Sequence, residues 1–265
     1  MDENARMEEG LYTQELVPLF RDAEADGLLG IRGYFNLFQD MACAHMHELG
    51  IGNDKLVERT GCAWLFTKYK LCAYGRSDFD TKLKLETWIE PVRSPLLVNR
   101  GLWVSANGRL LAAGRVESCP FNLKDQKLVR LSDLDFQKEV SCDREDGLGR
   151  FTRVGISMEG AEYRFTHTVR YADLDKSQHM NNIKYIDMFL NVFSREFYMT
   201  HFVTGMEIQF RNQCFEGDEI LVYTVKEKRV WEAEEEDEDE RIRLIAVKGD
   251  RTIAATGMIT IKDIL

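Results

Sequence analysis

Asp173-Leu174-Asp175-Lys176-Ser177-Gln178-His179-Met180-Asn181-Asn182-Ile183-Lys184-Tyr185 is a polar run that opens a helix with apolar periodicity, and its layout occurs earlier in the chain too. Aligning Tyr34-Phe35 with Tyr185-Ile186 sets an offset of 151 residues (185 − 34). Asp22 then meets Asp173, Glu24 meets Asp175, Asp26 meets Ser177 and Leu28 meets His179. The acidic loop occurs twice and the histidine once. One working site per chain follows, with the first repeat kept as scaffold and pocket wall.

Working outward, each half reads as strand, loop, helix and then several strands. In the first, a strand from Tyr12 to Phe20 leads to a helix from about Gly33 to Leu49, with Phe35, Phe38, Met41, Ala42, His45 and Leu49 at helical spacing. Strands are expected over Ala63 to Tyr74, Lys82 to Ile89, Leu96 to Ser105 and Leu110 to Leu123, the last two joined by the hairpin signal Asn107-Gly108. In the second, a strand from Glu162 to Tyr171 precedes a helix expected from Asn182 to Tyr198. Strands follow at Gly205 to Gln213, Glu219 to Lys228, Arg241 to Lys248 and Thr252 to Lys262, with Gly249-Asp250 as the matching turn.

The second helix is apolar over most of its circumference, which demands burial. One helix plus an antiparallel sheet, present twice, predicts an α+β fold with a sheet wrapped round each helix. The expected boundaries are residues 1–137 and 157–265 for the domains, with a charged, aperiodic linker at 138–156.

At 265 residues and 44% hydrophobic content, the chain can fill two cores. A formal net charge of -10 argues against nonspecific nucleic-acid binding. No apolar run reaches membrane-spanning length, and the acidic start, Met1 to Glu9, reads as neither secretory signal nor transit peptide. Six cysteines without a Cys-x-x-Cys pair argue against zinc and disulfides, and place the chain in the cytoplasm. No metal or cofactor is called for. The run Glu232 to Glu240 reads as a solvated loop without chemistry.

The loop's chemistry is more pointed. A helix start exposes unpaired N–H groups and a positive partial charge. An imidazole and carboxylates placed there supply what acyl hydrolysis needs: a base for water and donors for an oxyanion.

The repeated plan and Asp175…His179-Met180-Asn181-Asn182-Ile183-Lys184-Tyr185 resemble the acyl-ACP thioesterases of plants and bacteria, which are double-hotdog proteins. Phe38-Gln39-Asp40-Met41-Ala42, Leu49-Gly50-Ile51-Gly52, Thr87-Trp88-Ile89 and Asn99-Arg100 add to the likeness, which runs from about Tyr12 to Ile261. The resemblance implies two tandem hotdog domains and hydrolysis of the thioester between a fatty acyl chain and acyl carrier protein. The family's Asp-x-Asn-x-His signature falls on Asp175, Ser177 and His179, and its Arg-x-Glu-Cys signature on Arg211, Asn212, Gln213 and Cys214. Ser177 replaces asparagine and Gln213 replaces glutamate. A glutamine cannot take a proton from water, but its carbonyl oxygen can orient one.

The resulting expectation makes His179 the general base, oriented by Asp175, with N–H groups near Met180 and Asn181 stabilising the oxyanion. Ser177 or Gln213 would hold water, and a Cys214 nucleophile is the second route. Asn181, Asn182 and Trp64 are candidates for contact with substrate, although Asn182 ahead of Asn181 is expected to cap the helix. Met41, Phe66 and Trp64 are candidates to line or block the acyl pocket. His45 and His47 are expected to cap the first helix or face solvent, and His167 and His201 carry no assignment. If their two strands are neighbours, Lys68, Lys70, Lys82 and Lys84 would form a basic patch for the acidic carrier. Acyl-CoA hydrolysis, a non-catalytic acyl-binding protein and, more weakly, a hydratase are the competing readings. Oligomeric state stays open between a self-sufficient fused pair and a homodimer.

Overall fold

The computed structural model describes residues 5–134, 136, 140–226 and 240–264. The chain divides into two compact units, Met1–Arg150 and Phe151–Leu265. The acidic residues Glu232 to Asp239 lie outside the described part.

Unit 1 begins with β1 (Ala5–Glu8), β2 (Leu11–Leu16) and a short 3-10 turn (Phe20–Asp22). After β3 (Leu28–Leu29) come α1 (Ile31–Glu48) and α2 (Asn53–Thr60). The sheet is completed by β4 (Cys62–Ala73), β6 (Leu83–Ile89), β7 (Val98–Ala106) and β8 (Arg109–Asn122). Two-residue strands β5 (Ser77–Asp78) and β9 (Lys127–Leu128) pair with β3 and β8. The main strands run antiparallel in the order β1-β2-β6-β7-β8-β4. Asn107 and Gly108 both take positive φ, 51° and 76°, as the expected tight hairpin requires.

Unit 2 repeats the plan with β10 (Glu162–Thr168), a 3-10 turn (Tyr171–Asp173) and α3 (Asn182–Leu190). Then come α4 (Arg195–Tyr198), β11 (His201–Phe210), β12 (Glu219–Lys226), β13 (Glu240–Lys248) and β14 (Ile253–Asp263). Its antiparallel order is β11-β14-β13-β12-β10. The α+β class with a helix on an antiparallel sheet is therefore as expected.

Each helix is seated by the same device. Phe38 of α1 and Phe189 of α3, 151 residues apart, are buried against glycines of the sheet. A Cβ on Gly114 would lie 2.7 Å from the Phe38 ring, and one on Gly257 would lie 3.0 Å from the Phe189 ring. A missing methyl group thus lets an aromatic ring rest on backbone, and each buried ring is worth about 1.5–3 kcal/mol.

Several expected boundaries move. The second helix breaks after Leu190, because Ser194 accepts the Phe197 N–H and caps a new short helix. The Tyr198 hydroxyl donates to the freed Leu190 carbonyl at 2.7 Å. The strand expected from Gly205 to Gln213 stops at Phe210. Arg211 and Asn212 N–H groups both fall on the Ala254 carbonyl, which ends the ladder and turns 211–218 into a loop. In the turn after β13 the left-handed residue is Arg251 (φ 70°). Helix α2 has no counterpart in the sequence pattern, because only Leu56 in it is buried and it shows no apolar stripe.

His45 departs furthest from expectation: it neither caps nor faces solvent. It is fully buried, stacked on Tyr12 at 5.4 Å, with Nδ1 2.6 Å from Arg100. Burial, then the adjacent guanidinium, lowers its pKa from 6.5 to about 3. Below pH 6.5 the unfolded chain gains a proton that the folded chain refuses, so the stability present above that pH falls on acidification towards pH 3. The expected loss is up to about 1.4 kcal/mol per pH unit. Urea unfolding of His45→Gln between pH 6.5 and 4 should show a shallower slope than the parent chain.

Candidate active site

The loop before α3 is built almost entirely from backbone hydrogen bonds. The Asp173 carboxylate closes the 3-10 turn by accepting the Arg170 N–H at 2.9 Å. Asp175 N–H donates to the His179 carbonyl at 3.0 Å, and Gln178 N–H donates to the Asp175 carbonyl at 3.0 Å. Gln178 sits at φ 63°, the left-handed conformation that this tight return needs. Asn181 N–H reaches the Asp173 carbonyl and Met180 N–H reaches the Cys214 carbonyl, both at 2.8 Å. The last bond ties the loop to the segment after β11. There the half-buried His179 ring meets Phe215 edge to face, with centroids 5.0 Å apart.

Unit 1 carries the same loop without the imidazole. Glu24 N–H donates to the Leu28 carbonyl at 2.9 Å, Gly27 N–H to the Glu24 carbonyl at 2.9 Å, and Gly27 supplies the left-handed residue. Arg76 clamps both acidic side chains, reaching Glu24 at 2.9 Å and Asp26 at 2.8 Å. Leu28 occupies the histidine's place, so this copy lacks the imidazole.

Two family models cover nearly the whole chain. The acyl-ACP thioesterase N-terminal domain matches residues 10–147, and the C-terminal domain matches residues 157–258. The chain belongs to the acyl-ACP thioesterase family. It is 22% identical over 240 residues to oleoyl-acyl carrier protein thioesterase 2, chloroplastic, of Arabidopsis thaliana, covering 83% of this chain and 65% of that one. The chain thus spans just under two thirds of the length of such curated relatives. An acyl-ACP thioesterase structure from Bacteroides thetaiotaomicron superposes with a TM-score of 0.84 at 20% identity, covering 97% of this chain and 100% of that one. The 12:0-ACP thioesterase from Umbellularia californica superposes at 0.76 and 13% identity, covering 97% and 99%. The fold is the hotdog fold of these acyl-ACP thioesterases.

Against the family's signatures, several expected contacts are replaced by others. The Asp175 carboxylate does not touch the His179 ring. It accepts the Ser177 N–H at 2.7 Å, so it orients His179 only through the backbone of the loop. The N–H groups of Met180 and Asn181, expected to face an oxyanion, are taken by the Cys214 and Asp173 carbonyls. Asn181, not Asn182, caps α3, its side chain accepting the Ile183 N–H at 2.9 Å. Asn182 is the first helical residue.

Ser177 and Gln213 are exposed beside this loop and the Cys214 segment. Cys214 is fully buried on a loop, not a strand. Burial raises its thiol pKa, opposed by a hydrogen bond from Tyr185. A thiol so placed is mostly protonated, which counts against the nucleophile route.

Trp64 is buried in unit 1, with its indole N–H on the Ile51 carbonyl at 2.9 Å. Trp64 and Phe66 border a crevice there, and Met41 is buried in the core. The lysine patch does not form, because β7 and β8 separate β6 from β4. Lys68 pairs with Glu117 (2.9 Å), Lys82 with Glu15 (2.6 Å) and Lys84 with Glu86 (3.0 Å). Lys70 donates to the Arg150 carbonyl at 3.0 Å.

The residue sequence reasoning missed is His167. Its Nε2 meets the Asp173 carboxylate at 2.9 Å, from a strand position where unit 1 has Leu16. Asp173 in turn receives the Asn181 N–H, so His167 steadies the turn from which the His179 loop departs. His167→Leu is expected to lower kcat about tenfold through loop misplacement, with KM changed less than about twofold. His167→Gln keeps a donor towards Asp173 and should restore most of the rate in the same steady-state assay.

Proposed function

We propose that the chain hydrolyses the thioester of fatty acyl-ACP and releases a free fatty acid. The observation that carries this reading is the single His179 loop, present in one repeat only and bonded to the Cys214 segment. His179 takes a proton from water as that water attacks the thioester carbonyl. The imidazolium then protonates the departing pantetheine thiolate, which restores the base. Asp175 and His167 act by holding the loop, and the exposed carboxamide of Gln213 orients the water. With the Met180 and Asn181 N–H groups occupied, the positive end of α3 is the remaining local support for the oxyanion.

Acyl carrier protein is the proposed partner. Six free thiols favour a reducing compartment, and we place the chain in the cytoplasm, whereas the Arabidopsis relative is chloroplastic. Among the described residues no helix is long and apolar enough to cross a membrane.

Acyl-CoA shares the pantetheine arm, so kcat/KM on matched acyl-ACP and acyl-CoA substrates tests the carrier assignment. A higher value on acyl-CoA would overturn it. One observation favours a binding protein without turnover: the Asp175 carboxylate faces Ser177 and not the imidazole. Absence of released acid from either carrier would select that reading. Ser177→Asn and Gln213→Glu restore the family's residues at exposed positions. Both are expected to leave turnover unchanged or raise it in the same assay.

A further inference from the structure

We propose that Lys248 is a positioning residue for His179, acting through the loop that carries Cys214 and Phe215. Lys248 ends β13, opposite Ile220 of β12, and its side chain is 14% exposed. Its Nζ donates to the Asp218 carboxylate at 2.9 Å and to the Gln213 carbonyl at 3.3 Å. The same Nζ lies 5.9 Å from the centre of the Phe215 ring, within reach of a cation–π contact. The Asp218 oxygen that meets Lys248 also accepts the Phe215 N–H, at 2.9 Å. One ammonium therefore grips the loop on both sides of Cys214. The hydrogen bond to Asp218 raises the lysine's pKa, so its charge persists at neutral pH.

The gripped segment is the one that touches the site. The Cys214 carbonyl takes the Met180 N–H at 2.8 Å, and the Phe215 ring packs against the His179 ring. Both ends of the loop are tied separately: the Asn212 side chain donates to the Ile253 carbonyl at 2.8 Å, and Gly217 N–H to the Val169 carbonyl at 3.0 Å. Loss of the ammonium thus frees the middle of the loop while its ends hold. The first repeat builds the same loop without this clamp. Tyr74 and Gly75 N–H groups both meet the Leu111 carbonyl, as Arg211 and Asn212 meet that of Ala254. A turn bond from Thr81 N–H to the Asp78 carbonyl, 3.1 Å, matches the one from Asp218 to Phe215, 3.0 Å. The offset is 137 in each case (211 − 74 and 218 − 81), so Thr81 stands where unit 2 has Asp218. The β6–β7 register sets Lys84 opposite Ser105, and one residue further back it puts Ala106 in the place of Lys248. A threonine and an alanine cannot form an ion pair. The clamp belongs to the repeat that carries the imidazole, whereas a clamp serving the sheet alone would be needed in both.

The effect on rate rests on the thioesterase reading, whereas the placement of the ring does not, so the test reads both on the full chain. Proton NMR gives the His179 ring signals, identified by their loss in His179→Ala. Lys248→Met keeps the aliphatic stem and removes the charge. It should displace the His179 signals, which feel the ring current of Phe215, and leave those of His45 in place. It should also lower kcat on acyl-ACP about tenfold, with KM changed less than about twofold. Lys248→Arg, which can donate to both Asp218 and Gln213, should restore signals and most of the rate. In the His179→Ala background Lys248→Met should alter the residual rate by less than about twofold, because its effect passes through the imidazole. Unmoved His179 signals in Lys248→Met overturn the assignment, as does a near-parental kcat or an equal loss in both backgrounds. Should Lys248→Met fail to fold, Asp218→Asn, which keeps an acceptor for the Phe215 N–H and removes the lysine's counter-charge, must displace the same signals. Unmoved signals there also overturn the assignment. A parent chain that releases no acid removes the thioesterase reading, and the signal displacement then decides by itself whether Lys248 holds the ring.

Discussion

His179→Ala is expected to lower kcat on acyl-ACP by at least about two orders of magnitude, the usual contribution of a general base. The fold should survive, because the loop is closed by main-chain bonds that the substitution leaves alone: Asp175 to the His179 carbonyl, Gln178 to Asp175, Asn181 to Asp173 and Met180 to Cys214. What the substitution removes is the packing of the imidazole on the Phe215 ring. Circular dichroism and the melting temperature should therefore match the parent chain while turnover collapses. A variant with near-parental kcat would remove His179 from the mechanism. The first repeat offers no substitute, since Leu28 stands at the matching place and Arg76 binds both carboxylates.

The largest expected effect on stability lies in the first repeat. A Cβ on Gly101 would collide with the Trp88 ring, closer than real Cβ atoms approach a neighbour. Trp88 cannot yield. It is fully buried, its indole N–H donates to the Arg144 carbonyl at 2.8 Å, and Trp103 packs edge-on against it at 5.5 Å. Arg144 lies over both rings, 4.9 Å from one centroid and 4.0 Å from the other. Gly101→Ala should cost about 3 kcal/mol, at the upper end of overpacking penalties. The melting temperature should fall by roughly 6–12 °C in a thermal scan. A shift under about 2 °C would mean that the ring has room which the packing denies.

The duplication was legible because its signal is positional. The two repeats share a 3-10 turn, a pair of loop hydrogen bonds and a phenylalanine–glycine seat at nearly the same spacing. Strand cores were legible from composition, whereas their ends were not. Phe210 closes β11 because two N–H groups compete for the Ala254 carbonyl, a cross-strand event invisible in local pattern.

The site was legible as a set of residue types and less so as a set of bonds. Which N–H groups remain for an oxyanion depends on tertiary partners, and Cys214 and Asp173 had claimed the expected two. The lysine patch failed for a similar reason, since strand order is a long-range property that periodicity does not carry. His45 shows the converse: an apolar-face histidine at helical spacing turned out to be deep in the core, held by an arginine 55 residues away.

Quantifying free fatty acid after incubating the chain with a ladder of acyl-ACPs tests the proposed activity most directly. The account predicts many equivalents of acid per chain, from at least one chain length, with a single active centre lost on removal of the C-terminal imidazole. Acyl-ACP bound but recovered intact across the whole ladder would contradict it.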